Sequence, residues 1–381
     1  MKILYVLNSA RYGGMEWHVS DLVRGMVSNG NEVFVWCPNG EMSEVYKRAG
    51  AKVTERSITK DIDRKYIKDL SLFIKENGID IVHSHELKAV CNALRAGKKS
   101  GVKVSVTHTH TPISQWEIGK FKKYLNIKFY SHFVNKYSSV EIALTESTKR
   151  VKVKEGIKEN KIVVIPNGID TTKFDITPNL RAAYQDEIKK RYQIPKTAFV
   201  FGTLGRLTEE KGIDSLIKAF ENFTKLELFH KRDFYLMIVG GGRLEEELRS
   251  LIEELNLDGK VIITGYFDEA EKVKYYSTFD AFVFPSLAEG FGIVLIEALY
   301  MGIPTICSDI EVLTEVGGGV AEYFERGNVN DIANKMTTIY KKVAEEGITV
   351  SEKSRLWVEK EYSMQKFISN YLNLYKKLLG E

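Results

Sequence analysis

The 381-residue chain has three cysteines, Cys37, Cys91 and Cys307, far apart and odd in number. That argues against a disulfide framework and predicts free thiols in a reducing compartment. Seven prolines leave little room for a Pro-rich linker. No apolar run reaches the roughly 18 residues a membrane span needs, and even Ile293–Leu299 is broken by Glu297. The start, Met1 to Leu7, turns polar too soon for a signal-peptide core. Charge of one sign is also lacking. The 55 basic and 51 acidic residues nearly cancel, which disfavours a general nucleic-acid binder. No G-x-G-x-x-G follows the first strand pattern, and no G-x-x-x-x-G-K-[ST] occurs anywhere. A standard dinucleotide oxidoreductase and a P-loop enzyme are therefore disfavoured. What remains is a cytoplasmic protein of two or three domains, with 44% hydrophobic and 28% charged residues in ordinary globular proportion.

What is present is an alternation of short apolar runs with longer helical patterns. Candidate strands are Ile3–Leu7, Glu32–Trp36, Asp80–His83, Val102–Thr107, Glu141–Thr145 and Ile162–Ile165, then Ala198–Thr203, Phe234–Val239, Val261–Thr264, Ala281–Phe284 and Thr305–Cys307. Most are apolar without strict alternation, as in parallel strands covered on both faces. Met15, Val19, Leu22, Val23, Met26 and Val27 fall at helical spacing before Asn29-Gly30, which completes a βαβ unit over 3–36. A second βαβ series begins near Ala198. The reading is α/β, with two Rossmann-like doubly wound domains facing each other across a deep cleft. The boundaries expected are 1–180 and 190–360, with a linker over 167–195.

Several strand-to-helix turns carry chemistry. After Phe284 comes Pro285-Ser286-Leu287-Ala288-Glu289-Gly290-Phe291-Gly292, and a helix is predicted from about Gly292 through Glu297. Free N–H groups at such a helix start favour phosphate. Eight residues separate Glu289 from Glu297, roughly 12 Å if all were helical. That is on the order of the span from a sugar to a ribose across a diphosphate. A cap-region glutamate and an exposed helix glutamate would read the same way. Gly205-Arg206-Leu207-Thr208-Glu209-Glu210-Lys211-Gly212 offers an Arg fork and a Lys point charge to a diphosphate. It would equally make a solvated loop. Gly240-Gly241-Gly242 is a weaker turn of the same kind. Gly13-Gly14-Met15-Glu16 lies at the first turn, where glycine permits close backbone approach.

His83-Ser84-His85 and His108-Thr109-His110 put two imidazoles on one face of extended chain. With Glu86 nearby, a zinc hydrolase is one reading. Satisfied structural histidines, His18 included, are the other. Asp61-Ile62-Asp63 resembles a metal-chelating DxD, but sits before a helical pattern where a cap is expected. Between 120 and 154 there are nine lysines or arginines against two glutamates, and aromatic residues from Trp116 to Tyr137 interleave with them. An anionic membrane surface contacted through 116–154 and an amphipathic helix packed on the sheet both fit.

Together, Gly13-Gly14-Met15-Glu16, Ile165-Pro166-Asn167-Gly168-Ile169-Asp170, Gly205-Arg206 with Lys211-Gly212, the E-x7-E pair Glu289 and Glu297, and Pro304–Asp309 with Glu315-Val316 resemble the retaining GT-B glycosyltransferases of family 4 (GT4). The likeness covers almost the whole chain in order. It implies a nucleotide-diphosphate sugar donor, UDP first and GDP second, and a hexose-type sugar moved to a hydroxyl of a glycan, lipid-linked or small-molecule acceptor. It implies that Arg206 and Lys211 hold the donor diphosphate, with Gly14 approaching it. Glu297 would bind the ribose, and Glu289 the transferred sugar. Backbone amides of Phe291, Gly292 and Ile293 would lie near sugar and phosphate, and Tyr266 would wall the base pocket. His110, with His108 second, would act near the sugar and acceptor. A C-terminal helix, 362–381 with its core at about Met364–Leu379, would return to complete the first domain. No metal and no other cofactor is implied, and no nucleic acid. The expected location, from the thiols and the short apolar runs, is the cytoplasm, peripheral on the inner face of the membrane if 116–154 docks there. The long polar segment Thr171–Tyr192 departs from the family pattern. The rival readings are the metal-dependent hydrolase, a GT-B epimerase or phosphorylase, and a sugar-nucleotide-binding protein without catalysis.

Overall fold

The computed structural model describes residues 1–225, 233–346 and 351–381. It divides into two compact units, residues 1–167 with 365–381, and residues 168–364.

The first unit is built on a seven-stranded parallel sheet. Its strands are β1 (Lys2–Val6), β2 (Glu32–Cys37), β3 (Lys52–Glu55), β4 (Ile81–His85), β5 (Val104–His108), β6 (Val140–Ala143) and β7 (Ile162–Val164). Their order in space is β3-β2-β1-β4-β5-β6-β7. Ile3, Leu4, Val82 and Val106 are out of solvent, as the unbroken apolar runs require of strands covered on both faces. The order reverses between β1 and β4, and at such a switch point the loops beyond the strand ends part to leave a crevice.

The second unit holds a six-stranded parallel sheet of order β10-β9-β8-β11-β12-β13. The strands are β8 (Phe199–Leu204), β9 (Phe234–Val239), β10 (Val261–Ile263), β11 (Ala281–Phe284), β12 (Thr305–Ser308) and β13 (Glu322–Phe324). Phe199, Phe201, Phe220, Phe223 and Phe234 meet between β8, β9 and the helix Ile213–Thr224. Here the switch point lies between β8 and β11, the strands that feed the Arg206 and Glu289 turns.

Most expected strands are present within two residues of their expected ends. Two others, β3 and β13, are added. They are short edge strands carrying charge, a pattern that gives little apolar signal. The boundary between units falls at Asn167–Gly168, earlier than 180. The expected linker is occupied by a 14-residue helix, Pro178–Arg191, assigned to the second unit. Thr177 caps it and Pro178 starts it. Only Ile188 and Lys189 are buried along it, so the sequence carries no apolar stripe to announce it.

Asp63 is a helix cap. Its side chain accepts the Tyr66 N–H at 3.1 Å, at the start of the helix Arg64–Asn77. The basic aromatic stretch divides in two. In the helix Lys120–Tyr137, Tyr130, Phe133 and Val134 are buried, while Phe121, Tyr124 and Leu125 are exposed. Lys152, one of the nine basic residues of that stretch, is wholly buried against Glu141. Among the described residues no helix is long and apolar enough to cross a membrane.

Candidate active site in two halves

In the second unit, the turn after β8 carries Arg206 and Lys211, and the turn after β11 carries Glu289. Gly212 stands in the left-handed region (φ 62°) where the two turns touch. A Cβ there would sit 2.4 Å from the Pro285 carbonyl oxygen. Only glycine allows that approach. It brings Lys211 to Glu289 as an ion pair, and Ser286 Oγ donates to the same carboxylate oxygen at 2.8 Å. Arg206 is exposed. Gly292 (φ 94°) caps the helix Ile293–Tyr300, and a Cβ there would meet Leu313 at 2.8 Å. Phe291 is buried, so the chain over 291–293 is pinned by its packing.

Glu297 lies within that helix and is almost wholly buried. Lys272 Nζ donates to Oε1 at 3.0 Å and Tyr276 Oη to Oε2 at 2.8 Å. Burial alone would lower the Lys272 pKa. Glu297 and Glu269 outweigh it and raise it to about 12, so the cation persists at neutral pH. A carboxylate has about four lone-pair sites, so Glu297 keeps acceptor capacity beyond these two bonds. Tyr266 is 84% exposed. Lys272, Tyr276 and Ser286 were not singled out from the sequence. Lys272 and Tyr276 come from another segment and Ser286 from the Glu289 turn itself, and no motif spacing marks them.

In the first unit the switch point is filled by imidazoles. His83 and His85 occupy the end of β4 rather than following it, and His108 ends β5. Each pair does share a face: the His83 and His85 rings lie 4.3 Å apart between centroids, and the His108 and His110 rings 3.9 Å. His18, from the helix Gly14–Ser28, completes the cluster, with its ring 4.7 Å from that of His110. His85 Nδ1 lies 3.2 Å from His110 Nε2. His83 Nδ1 meets the Tyr375 hydroxyl at 2.7 Å, so residues 365–381 close the cluster from below. Asn167, read only as part of a turn motif, accepts from His18 at 2.7 Å. Gly14 opens the same helix, and a Cβ there would meet nothing within 4 Å. Glu86, just beyond His85, has φ 70°, rare for a residue with a side chain. Burial raises its carboxyl to about 7 against the pull of the Asn8 N–H.

Burial lowers the pKa of all five rings, His18 to about 4. The folded value lies below the unfolded one, so between about 6.5 and 4 the unfolded chain binds more protons. The histidine contribution to stability is therefore full above about pH 6.5 and is lost as the pH falls toward 4. Urea midpoints should drop between pH 7.5 and pH 5. Midpoints that are flat over that range would mean the rings are solvated and charged.

Two Rossmann-like units, each with chemistry-bearing residues at its own switch point, make this a GT-B fold. The family model for glycosyltransferase family 4 matches residues 12–173, and that for glycosyl transferases group 1 matches residues 184–355. The chain belongs to the family-4 glycosyltransferases. A putative glycosyltransferase, EpsF of Bacillus subtilis, is 28% identical over 315 residues, covering 81% of this chain and 79% of that protein. The UDP-Gal:alpha-D-GlcNAc-diphosphoundecaprenol alpha-1,3-galactosyltransferase of Escherichia coli is 30% identical over 257 residues, 67% of this chain and 64% of that one. Among solved structures, Anabaena HepE in complex with UDP superposes with a TM-score of 0.84 at 18% identity, covering 99% and 100% of the two chains. The standard dinucleotide oxidoreductase and the metal-dependent hydrolase are thereby set aside.

Proposed function

We propose that this enzyme moves a hexose-type sugar from a nucleotide-diphosphate donor, UDP before GDP, to a hydroxyl acceptor with retention, in the assembly of a cell-surface glycan. The observation that carries this reading is the Lys211–Glu289 pair beside Arg206 at the switch point of the second unit. The UDP complex of HepE and the galactosyltransferase relative support the donor. In the reading, Arg206 and Lys211 take the diphosphate and Glu297 the ribose. Glu289 takes hydroxyls of the sugar, and the amides of Phe291, Gly292 and Ile293 line sugar and phosphate. Tyr266 flanks the base. From the first unit, Gly14 is assigned to the diphosphate, and His110 to the sugar and acceptor.

Breaking the glycosidic bond leaves negative charge on the departing diphosphate while the sugar becomes cationic. Two fixed cations and a helix start stabilise that charge as it develops, without a metal. Without donor, Glu289 neutralises Lys211. With donor, the phosphates replace it and the sugar hydroxyls donate to Glu289, so the pair is set for exchange. Retention follows if the acceptor attacks from the leaving-group face and the phosphate takes its proton.

A thermal-shift series with UDP, GDP, ADP and their sugars, with and without EDTA, tests this. Ligand at 100 times its Kd adds about 2.7 kcal/mol, or roughly 5–11 °C for domains of this size. The shift should appear with uridine nucleotides, survive EDTA and shrink in Glu297→Gln. A shift that needs divalent metal, or one that appears only with a non-uridine nucleotide, would refute the donor assignment.

A membrane contact is supported by the exposed Phe121, Tyr124 and Leu125 beside Lys120, Lys122 and Lys123 at the start of one helix. Apolar side chains flanked by lysines suit an anionic lipid surface. The chain should co-sediment with anionic vesicles at low salt, and Phe121→Ser/Leu125→Ser should weaken that. Equal binding by the variant would remove this helix from the interface.

A further inference from the structure

The imidazole cluster of the first unit holds more unpaired capacity than a packed core requires. One nitrogen from each of His18, His85, His108 and His110 lies within 4.8 Å of the other three. Among the described residues, His18 Nε2, His85 Nε2 and both nitrogens of His108 are buried without a hydrogen-bond partner. A neutral imidazole always carries one N–H and one lone pair, so a buried ring with neither satisfied signals a missing partner. The second shell is already set. Asn167 Oδ1 can only accept, so His18 Nδ1 carries the proton and its Nε2 lone pair faces the cluster.

We propose that His18, His85, His108 and His110 form a binding site for a divalent transition metal of the zinc group. Four nitrogen donors and no oxygen select Zn2+, Ni2+, Cu2+ or Co2+ over Mg2+, Ca2+ and Mn2+. Zinc–nitrogen bonds of about 2.0–2.1 Å in a tetrahedron put neighbouring nitrogens roughly 3.3 Å apart. His85 Nδ1 and His110 Nε2, 3.2 Å apart, make one such edge once metal displaces the proton they share, and the N–H of His85 then sits on Nε2. All four ligands are nitrogens of the first unit, so the site uses none of Arg206, Lys211, Glu289 and Glu297. It shares His110 with the sugar-transfer reading, and metal uptake, measured without sugar transfer, lets either fail alone.

The test uses the full-length untagged chain, stripped of metal by chelator and dialysis. Zn2+ is titrated calorimetrically, and Co2+ serves as the spectroscopic probe. One equivalent of Zn2+ should bind, and Co2+ should show the intense visible bands of four-coordinate nitrogen ligation. His18→Ala should abolish stoichiometric uptake. Asn167→Ala keeps all four ligands and should lower affinity about 10–100-fold. His132→Ala, an exposed histidine outside the cluster, should change nothing. If His18→Ala does not fold, the wild type and Asn167→Ala decide the matter. Wild type that takes up no metal, or Asn167→Ala that binds as tightly as wild type, would overturn the proposal.

Discussion

Lys152→Ala should destabilise the first unit by about 3–5 kcal/mol, the usual cost of breaking a buried ion pair by removing one partner. Lys152 and Glu141 are both wholly inaccessible. The ammonium donates to the Thr109 carbonyl at 2.8 Å, to Thr109 Oγ1 at 2.9 Å and to the Ile142 carbonyl at 2.9 Å, as well as to Glu141. Glu141 in turn accepts from the Tyr130 hydroxyl at 3.0 Å and the Thr109 N–H at 3.3 Å. Removing the lysine strands a carboxylate in the core. Removing both charges, as in Lys152→Met/Glu141→Gln, should cost less than Lys152→Ala alone. Urea unfolding of the variants measures both effects. A Lys152→Ala loss under about 1 kcal/mol would place the pair in solvent reach, where such pairs are worth little. The network grips Thr109 by its N–H, carbonyl and hydroxyl, and Thr109 stands between His108 and His110. Sugar transfer should therefore fall in the same variant through the displaced ring of His110.

Lys211→Ala should lower kcat/KM for sugar transfer about 10²–10³-fold, the usual effect of removing one preorganised group that meets developing charge. The loss should be larger than the loss in UDP affinity, because the diphosphate gains charge as the bond breaks. Glu289 would then lose its partner in a half-buried site, with only Ser286 left to hold it. Lys218→Ala serves as the control. Lys218 lies on the helix Ile213–Thr224 and pairs with Asp214 at 3.5 Å, outside the proposed site, and activity should stay near wild type. Equal kinetics in Lys211→Ala and wild type would remove Lys211 from the chemistry.

The turns proposed to hold the donor could be picked out in the sequence because their parts are local. Arg206 and Lys211 share one turn, and Glu289 and Glu297 share one turn and the helix that follows. Gly212 and Gly292 mark the backbone positions that need a positive φ. The C-terminal helix spans Met364–Leu379, the range the family resemblance implied. The helix Pro178–Arg191 was not legible because it buries too little to leave a stripe.

Sequence alone determined the two parallel sheets, since runs such as Phe234–Val239 are apolar on both faces and suit no other layer. It also determined the turns that carry charge, because a motif within one turn keeps its spacing in any fold. Tertiary structure alone decided the partners. Glu297 meets Lys272 and Tyr276, His18 joins the strand histidines and reaches Asn167, and Lys152 leaves the surface for Glu141. Each of these contacts joins side chains from different elements, and a buried charge or imidazole takes whichever partner the packed elements bring to it. Pairing across elements depends on sheet order and helix placement, and no local pattern encodes either.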